Sequence, residues 1–427
     1  MSSPTLTKGP AEPVEPPEPA ASARTERGLG DSIMEYFEKV RGGDVGGLPA
    51  VLGLIVLVAV FSILKPQSFT NAFNFANLLH QSAAVVVIGM GLVFVLLLGE
   101  IDLSAGYTAG TAAAVMGIVA TEQGLPWWLA IIACLLTGAV IGAVIGYLVA
   151  WLGIPSFVVT LAAFLALQGV LLKLIGEGGT IPIRDDRLTA INNEQMWVWL
   201  GWVLYVVVVG AYAGVNLWRA AARRRAGLEA PSAGVLLAKI GALAILLGAA
   251  TWYLSIERSP GTSSIKGVPV MVAILLVLLV GLTFLLTRTA FGRHVYAVGG
   301  NTEAARRAGI NVRRVKLICF MIGSTLAAVG GIMLSSRDNS VSPNTGGSST
   351  LLYAVGAAVI GGTSLFGGKG RVVDAILGGV VIAIIINGIG LLNQPSSVVF
   401  IVTGLVLLIA ASVDAISRRR AASTGRV

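Results

Sequence analysis

The stretch AAVVVIGMGLVFVLLLGEIDLSAGYTAGTAAAVMGIVA, Ala83 to Ala120, sets two carboxylates, Glu100 and Asp102, between two strongly apolar runs. Charges in such a setting are costly unless capped, paired or wetted. The apolar arms are long enough to serve as membrane spans, so the acidic centre reads as a helix break inside a membrane protein. That reading decides the fold class, and the rest of the chain agrees with it.

Of 427 residues, 55% are hydrophobic and only 12% charged. A soluble domain carries about a quarter of its residues as charges. This chain cannot cover itself with water-facing surface, which leaves lipid as the solvent for most of it. Apolar segments fall at approximately 48–64, 77–99, 103–120, 126–151, 155–175, 196–218, 234–255, 268–287, 315–335, 350–365, 372–392 and 397–414. The expected fold is therefore an all-α polytopic membrane protein with about 12 transmembrane segments and broken helices near Glu100 and Pro155. The spans form one transmembrane domain over residues 48–415.

The net charge of +9 does not point to nucleic acid, because the positive residues cluster between apolar runs. Arg219, Arg223, Arg224 and Arg225 form one cluster. Arg288, Arg293, Arg306, Arg307, Arg313, Arg314 and Lys316 form a second, and Lys369 with Arg371 a third. The chain closes on Arg418, Arg419 and Arg420, within a basic tail over residues 416–427. The positive-inside rule makes these loops and both termini cytoplasmic. Residues 1–40, rich in Pro, Glu, Ala and Ser and without an apolar h-region, read as a disordered cytoplasmic tail rather than a signal peptide.

Catalytic and metal chemistry find little support. Cys134 and Cys319 lie in apolar runs as small buried hydrophobes, and His80 and His294 stand alone. Ser156 and Ser364 have no histidine near them in sequence. The segment GGTSLFGGKG, Gly361 to Gly370, resembles a phosphate-binding loop only superficially. Thr363 interrupts the spacing, and Gly370 replaces the hydroxyl residue that would meet magnesium. It reads as a glycine-rich hinge, so no cofactor is expected in this chain and energy must come from another polypeptide or from an ion gradient.

Gly138, Gly142 and Gly146 repeat every four residues along one helix face. Such spacing lets a neighbouring backbone come close, which suits helix packing and leaves open a role along a path or subunit interface. The loop FGRHVYAVGGNTEAARRAGINVRRVK, Phe291 to Lys316, is helix-prone. Asn301 or Thr302 can cap a short helix that Gly309 closes, with alanines on one side and charges on the other.

Within that loop, Glu303, Ala304, Ala305 and Gly309 form an EAA-x-x-x-G pattern that resembles the cytoplasmic loop by which permeases of ATP-binding-cassette importers dock onto their ATPases. Together with IDLSAG (Ile101–Gly106), IPSFVVTLA (Ile154–Ala162) and VIGGTSLFGGKG (Val359–Gly370), it is similar to the monosaccharide permeases of the ribose, arabinose and xylose types. The resemblance covers roughly residues 74–180 and 268–415. The region 190–265 adds two spans to a ten-span pattern, a layout similar to the xylose-type permease. Leu351, Leu352 and Tyr353 stand where the family usually carries acidic residues.

What this resemblance implies is a homodimer in the bacterial plasma membrane with the path between its copies. Beneath it would sit cassette ATPase subunits that bind ATP and magnesium, and outside it a sugar-binding protein. It also implies that residues 288–316, with Glu303, Ala304, Ala305, Arg307 and Gly309, couple the permease to the ATPase. Glu100, Asp102, Ser104, Pro155 and Ser156 then mark the path or the helix breaks. Asp102 reads as the cap of a helix starting at Leu103, or as a group that touches the passing sugar, and Glu100 as facing water or an arginine. A secondary transporter, with Glu100 and Asp102 binding a coupling ion, is the alternative.

Overall fold

The computed structural model describes residues 47–228, 230–259 and 264–423. The expected tail over residues 1–40 lies outside the described residues. The expected basic tail from residue 416 is, through Ser423, the continuation of the last helix.

The chain is helical almost throughout. In order run α1 (Leu48–Leu64), α2 (Pro66–Phe69), α3 (Ala72–Leu97), α4 (Ala105–Gly117), α5 (Trp127–Ala150), α6 (Ser156–Ile175), α7 (Asp186–Asn193) and α8 (Val198–Arg225). Then come α9 (Ala233–Ser255), α10 (Val270–Arg288), α11 (Ala290–Gly300), α12 (Thr302–Arg307), α13 (Val312–Asp338), α14 (Ser348–Gly361), α15 (Val372–Leu391) and α16 (Ser396–Ser423). A two-residue antiparallel ribbon, β1 (Ile181–Pro182) against β2 (Ser340–Val341), is the strand pairing among the described residues.

Among the described residues, nine helices are long and apolar enough to cross a membrane. Each expected apolar segment coincides with a helix, but three helices fall short of a full crossing. Leu48–Leu64 and Ser348–Gly361 are shorter apolar helices. Ala105–Gly117 has 13 residues and passes into a π-helical turn at Ile118–Glu122.

Several helices start on a local polar cap. The side chain of Asn71 accepts from the Phe73 amide, Thr289 from Gly292, Asn301 from Ala304 and Asn311 from Arg314. Each satisfies an amide that the first helical turn leaves unpaired.

Burial sorts the helices into a core and a lipid-facing coat. From Ser82 to Leu98, α3 is buried without interruption. Around it pack α13, α14 and α15, with α4 and α5 against α13. Helices α8, α9, α10 and α16 expose Val206, Ile245, Val277 and Leu408, each more than 60% accessible. On a water-soluble protein such a surface would be an aggregation site; in lipid it is the ordinary exterior. The extra pair, α8 with α9, packs mainly on itself. It is fastened to the core where the Arg258 guanidinium donates to Gln195 Oε1 and to the Gly267 carbonyl, both at 3.1 Å.

The glycine repeat of α5 is the seam with α13. A Cβ on Gly138 would lie 2.6 Å from the Ser324 carbonyl oxygen, one on Gly142 2.6 Å from that of Phe320, and one on Gly146 2.9 Å from the Leu317 Cα. These are backbone atoms of a packed helix, so they cannot step aside. Gly142→Leu should destabilise the purified protein by about 1–3 kcal/mol, seen as a lower Tm in detergent, because an overfilled seam forces backbone shifts. Gly241→Leu, on α9 with open space around it, should leave Tm unchanged. Equal melting of the two variants would contradict this seam.

Candidate functional site

Helix α3 ends at Leu97, and the chain runs non-helically to Ser104, with Gly99 in the left-handed region at φ 74°. The Asp102 side chain is 1% exposed; its Oδ1 accepts from the Ser104 amide at 2.8 Å and from the Ser104 hydroxyl at 2.6 Å. The helix expected to start at Leu103 therefore starts at Ala105, with Ser104 as its boundary residue. The carboxylate closes a local Asx turn one step upstream, and this turn competes with helix for residues 103 and 104. Asp102 Oδ2 is buried without a partner among the described residues.

The second break braces the first. Helix α5 ends at Ala150, and Pro155 precedes Ser156, the first residue of α6. Ser156 Oγ accepts from the Ile101 amide at 3.3 Å, and Thr160 Oγ1 donates to the Ile101 carbonyl at 3.1 Å. Two sequence motifs thus meet across one residue. Glu100 forms an ion pair with Lys316, the two side chains 15% and 21% exposed. Its partner is a lysine, where water or an arginine had been expected. Helix α13 begins at Val312, so Lys316 sits inside a helix rather than at the end of a loop.

The loop motif contains two helices, α11 and α12, where one was expected. In α12 the Glu303 carboxylate accepts from Arg306 Nη1 at 2.9 Å and from Arg307 Nε at 3.3 Å. All three side chains are more than half exposed, so the pairs orient the surface and add little stability. The alanines divide: Ala305 is 4% exposed and packs in the cluster of Val298, Val312 and Val315, whereas Ala304 and Ala308 face outward. Gly309 follows at φ 84° with open space around it.

Beneath these helices lies the glycine-rich loop after α14. The Gly368 amide donates to the Leu97 carbonyl at 2.9 Å, and the Tyr296 hydroxyl donates to the Gly370 carbonyl at 2.8 Å. A Cβ on Gly299 would sit 1.7 Å from the Leu97 oxygen, so only glycine allows α11 to press on the end of α3. The Ser364 amide donates to the Lys369 carbonyl at 2.9 Å. The loop thus closes on itself at Ser364 and holds the end of α3 through Gly368. Four motifs far apart in sequence converge at this junction.

Both short helices begin within the depth of the bundle. Ala105 and Ala109 of α4 and Leu351 and Ala354 of α14 share a cluster with Ile88, Leu92 and Ala327 from the interiors of long helices. Gly106 and Gly110 admit the chain that leads into α14. A Cβ on either would meet the carbonyl of Gly346 or Thr345 within 2.3 Å.

At the other end of α3 opens a cavity of about 850 Å³ that the motif reasoning missed. Asn74, Asn77 and Gln81 line it from α3, Asn387 from α15, Arg337 from α13 and Tyr353 from α14. Asn74 and Asn387 exchange amide hydrogen bonds of 3.0 and 2.8 Å. A signal was present in the sequence: amides at positions 74, 77 and 81 recur at helical spacing along the entry to an apolar span. Glu100, Asp102, Ser104, Pro155 and Ser156 do not line this cavity. Among the described residues no group of three or more His, Cys, Asp or Glu is placed to hold a metal ion.

A family model described as "Branched-chain amino acid transport system / permease component" matches residues 74–411. The chain is 37% identical over 371 residues to the xylose transport system permease protein XylH of Escherichia coli K12, covering 87% of this chain and 92% of that one. It is 34% identical over 370 residues to XylH of Haemophilus influenzae, covering 87% and 96%. To the ribose import permease protein RbsC of Escherichia coli K12 it is 30% identical over 369 residues, covering 86% and 92%. No solved structure matches it.

The geometry at Asp102 separates a capping from a cargo-binding carboxylate. Asp102→Ala should lower stability and membrane abundance, by roughly 1 kcal/mol or more of lost capping, whereas Asp102→Asn keeps an acceptor and should lose less. Melting of the two purified variants checks the order. Loss of uptake in Asp102→Asn at normal abundance would instead make the carboxylate a contact of the cargo.

Proposed function

Since the chain belongs to the family of branched-chain amino acid transport system permease components, we infer that it is the membrane-spanning permease subunit of an ATP-binding-cassette importer of sugars. It is a transport component and not an enzyme. It works in the bacterial inner membrane with a cassette ATPase and a substrate-binding protein. The cargo is a pentose, and the similarity to two xylose transport system permeases supports xylose.

The finer reading is as follows. Both termini and the α11–α12 region face the cytoplasm, in keeping with the arginine clusters at Arg219–Arg225 and Arg288–Arg314. Two copies of the chain enclose the path. The ATPase binds ATP and magnesium and seats the exposed face of α12, where Glu303, Ala304, Arg307 and Gly309 are accessible and Ala305 anchors the helix from beneath. The convergence of α12, the Glu100–Lys316 pair and the Leu97–Gly368 contact on one hinge carries this reading. A push on α12 reaches the break between α3 and α4 through contiguous side chains and backbone. Alternating access then needs the ATPase and the loaded binding protein to favour different arrangements of that hinge.

Gly309→Val tests the coupling surface. A β-branched residue at φ 84° is strained by about 1–2 kcal/mol, which should distort the end of α12 without disturbing the bundle. The variant should reach the membrane and lose most ATP-driven xylose uptake, read with labelled sugar in cells. Uptake at the level of the unaltered protein would contradict the assignment of α12. Uptake that survives ATP depletion and collapses with a protonophore would instead favour an ion-coupled carrier.

A further inference from the structure

We propose that the cavity at the extracytoplasmic end of α3 is a low-affinity binding site for the neutral sugar ring, occupied between release from the binding protein and passage through the bundle. The proposal rests on the sugar-importer reading above and adds to it a location and a chemistry. Its volume of about 850 Å³ falls within the range of small-molecule sites, roughly 300–1,000 Å³.

The wall is built of groups that suit an uncharged aldose. Each sugar hydroxyl both donates and accepts, and each carboxamide does the same. Asn74 and Asn387, both 6% exposed, fix one another's amide planes by their reciprocal bonds and leave a rigid polar floor. Asn77 and Gln81, one and two turns further along α3, have hydrogen-bonding capacity that no described residue uses. Gln81 Oε1 is buried and has no partner. An unpaired buried acceptor calls for an explanation, and a visiting hydroxyl group supplies one. The ring of Tyr353, stacked on Phe400 with centroids 6.5 Å apart, offers an apolar face to the carbon skeleton.

No carboxylate lines the cavity, and its one charged lining residue, Arg337, is held by Asp338 at 3.0 Å. Bonds between neutral partners are weaker than charge-assisted ones. Weak, multiple contacts suit a transit site, because cargo must leave as readily as it enters.

Two measurements test the site. In proteoliposomes holding the permease, its ATPase and its binding protein, the Asn77→Leu/Gln81→Leu double variant should cut labelled D-xylose uptake by about tenfold or more, since at least two hydrogen bonds go. Co-purification of the ATPase should be retained, which shows that the variant still assembles. Unchanged uptake would overturn the proposal.

The second measurement does not depend on transport. Asn77→Cys in the full-length protein should react with a membrane-impermeant maleimide, and D-xylose should slow that reaction relative to potassium chloride of equal osmolarity. Cys134 and Cys319 are buried and add no background. Labelling that D-xylose does not slow would overturn the site even if the double variant fails to reach the membrane. A wild-type complex that imports no sugar, yet shows protection at Asn77→Cys, would count against the importer reading while supporting the site.

Discussion

Backbone amides and carbonyls buried away from water must find partners, and in lipid a chain that leaves the helix must find them elsewhere. Leu98–Ser104, partly buried at the end of α3, faces that demand, and the neighbouring elements are arranged to meet it. The amides of Leu98, Gly99 and Glu100 turn back to Val95 and Leu96. The Ile101 amide goes to Ser156, its carbonyl receives Thr160, and the Ser104 amide goes to Asp102. The Leu97 carbonyl takes the Gly368 amide, and the Ser104 carbonyl begins the ladder of α4 by accepting from Thr108. The partners come from the first turn of α6, from the glycine-rich loop and from the break itself.

That arrangement makes the break a point of mechanical leverage. Helices α5 and α13 are locked by Gly138, Gly142 and Gly146 into a seam with no slack, so they move as one body. Helix α13 carries Lys316 to Glu100, and α11 rests Gly299 on Leu97. The break after α3 is thus joined to α13 by an ion pair and to α11 by direct backbone contact. The amide-lined cavity lies at the far end of α3, the helix whose near end is held by this junction. Helix α3, buried without interruption from Ser82 to Leu97, thus joins this junction to the amide-lined cavity.

Much of this was legible in the residues, for physical reasons. Lipid-facing helices need long apolar runs, so each segment was visible from composition. The glycine repeat on α5 could be read as packing because only small residues let helices approach so closely. The short helix α12 was visible from its cap, Asn301, and its terminator, Gly309. Other features were not legible, because they depend on three-dimensional neighbours. Asp102 caps a turn instead of a helix because Ser104 offers both an amide and a hydroxyl at the right distance. Glu100 meets Lys316 across more than two hundred residues of sequence, a pairing that no local spacing encodes. The cavity went unseen because its residues come from five helices, although the amide row on α3 pointed toward it.

We infer that the Glu100–Lys316 pair transmits the ATPase's motion to the break after α3. Charge exchange tests it most directly, by measuring sugar imported per ATP hydrolysed in proteoliposomes. Glu100→Lys alone and Lys316→Glu alone should each uncouple hydrolysis from import, because each sets like charges against one another in a mostly buried site. The double exchange should recover much of the coupling. Full coupling in either single variant, or a double variant no better than the singles, would contradict it.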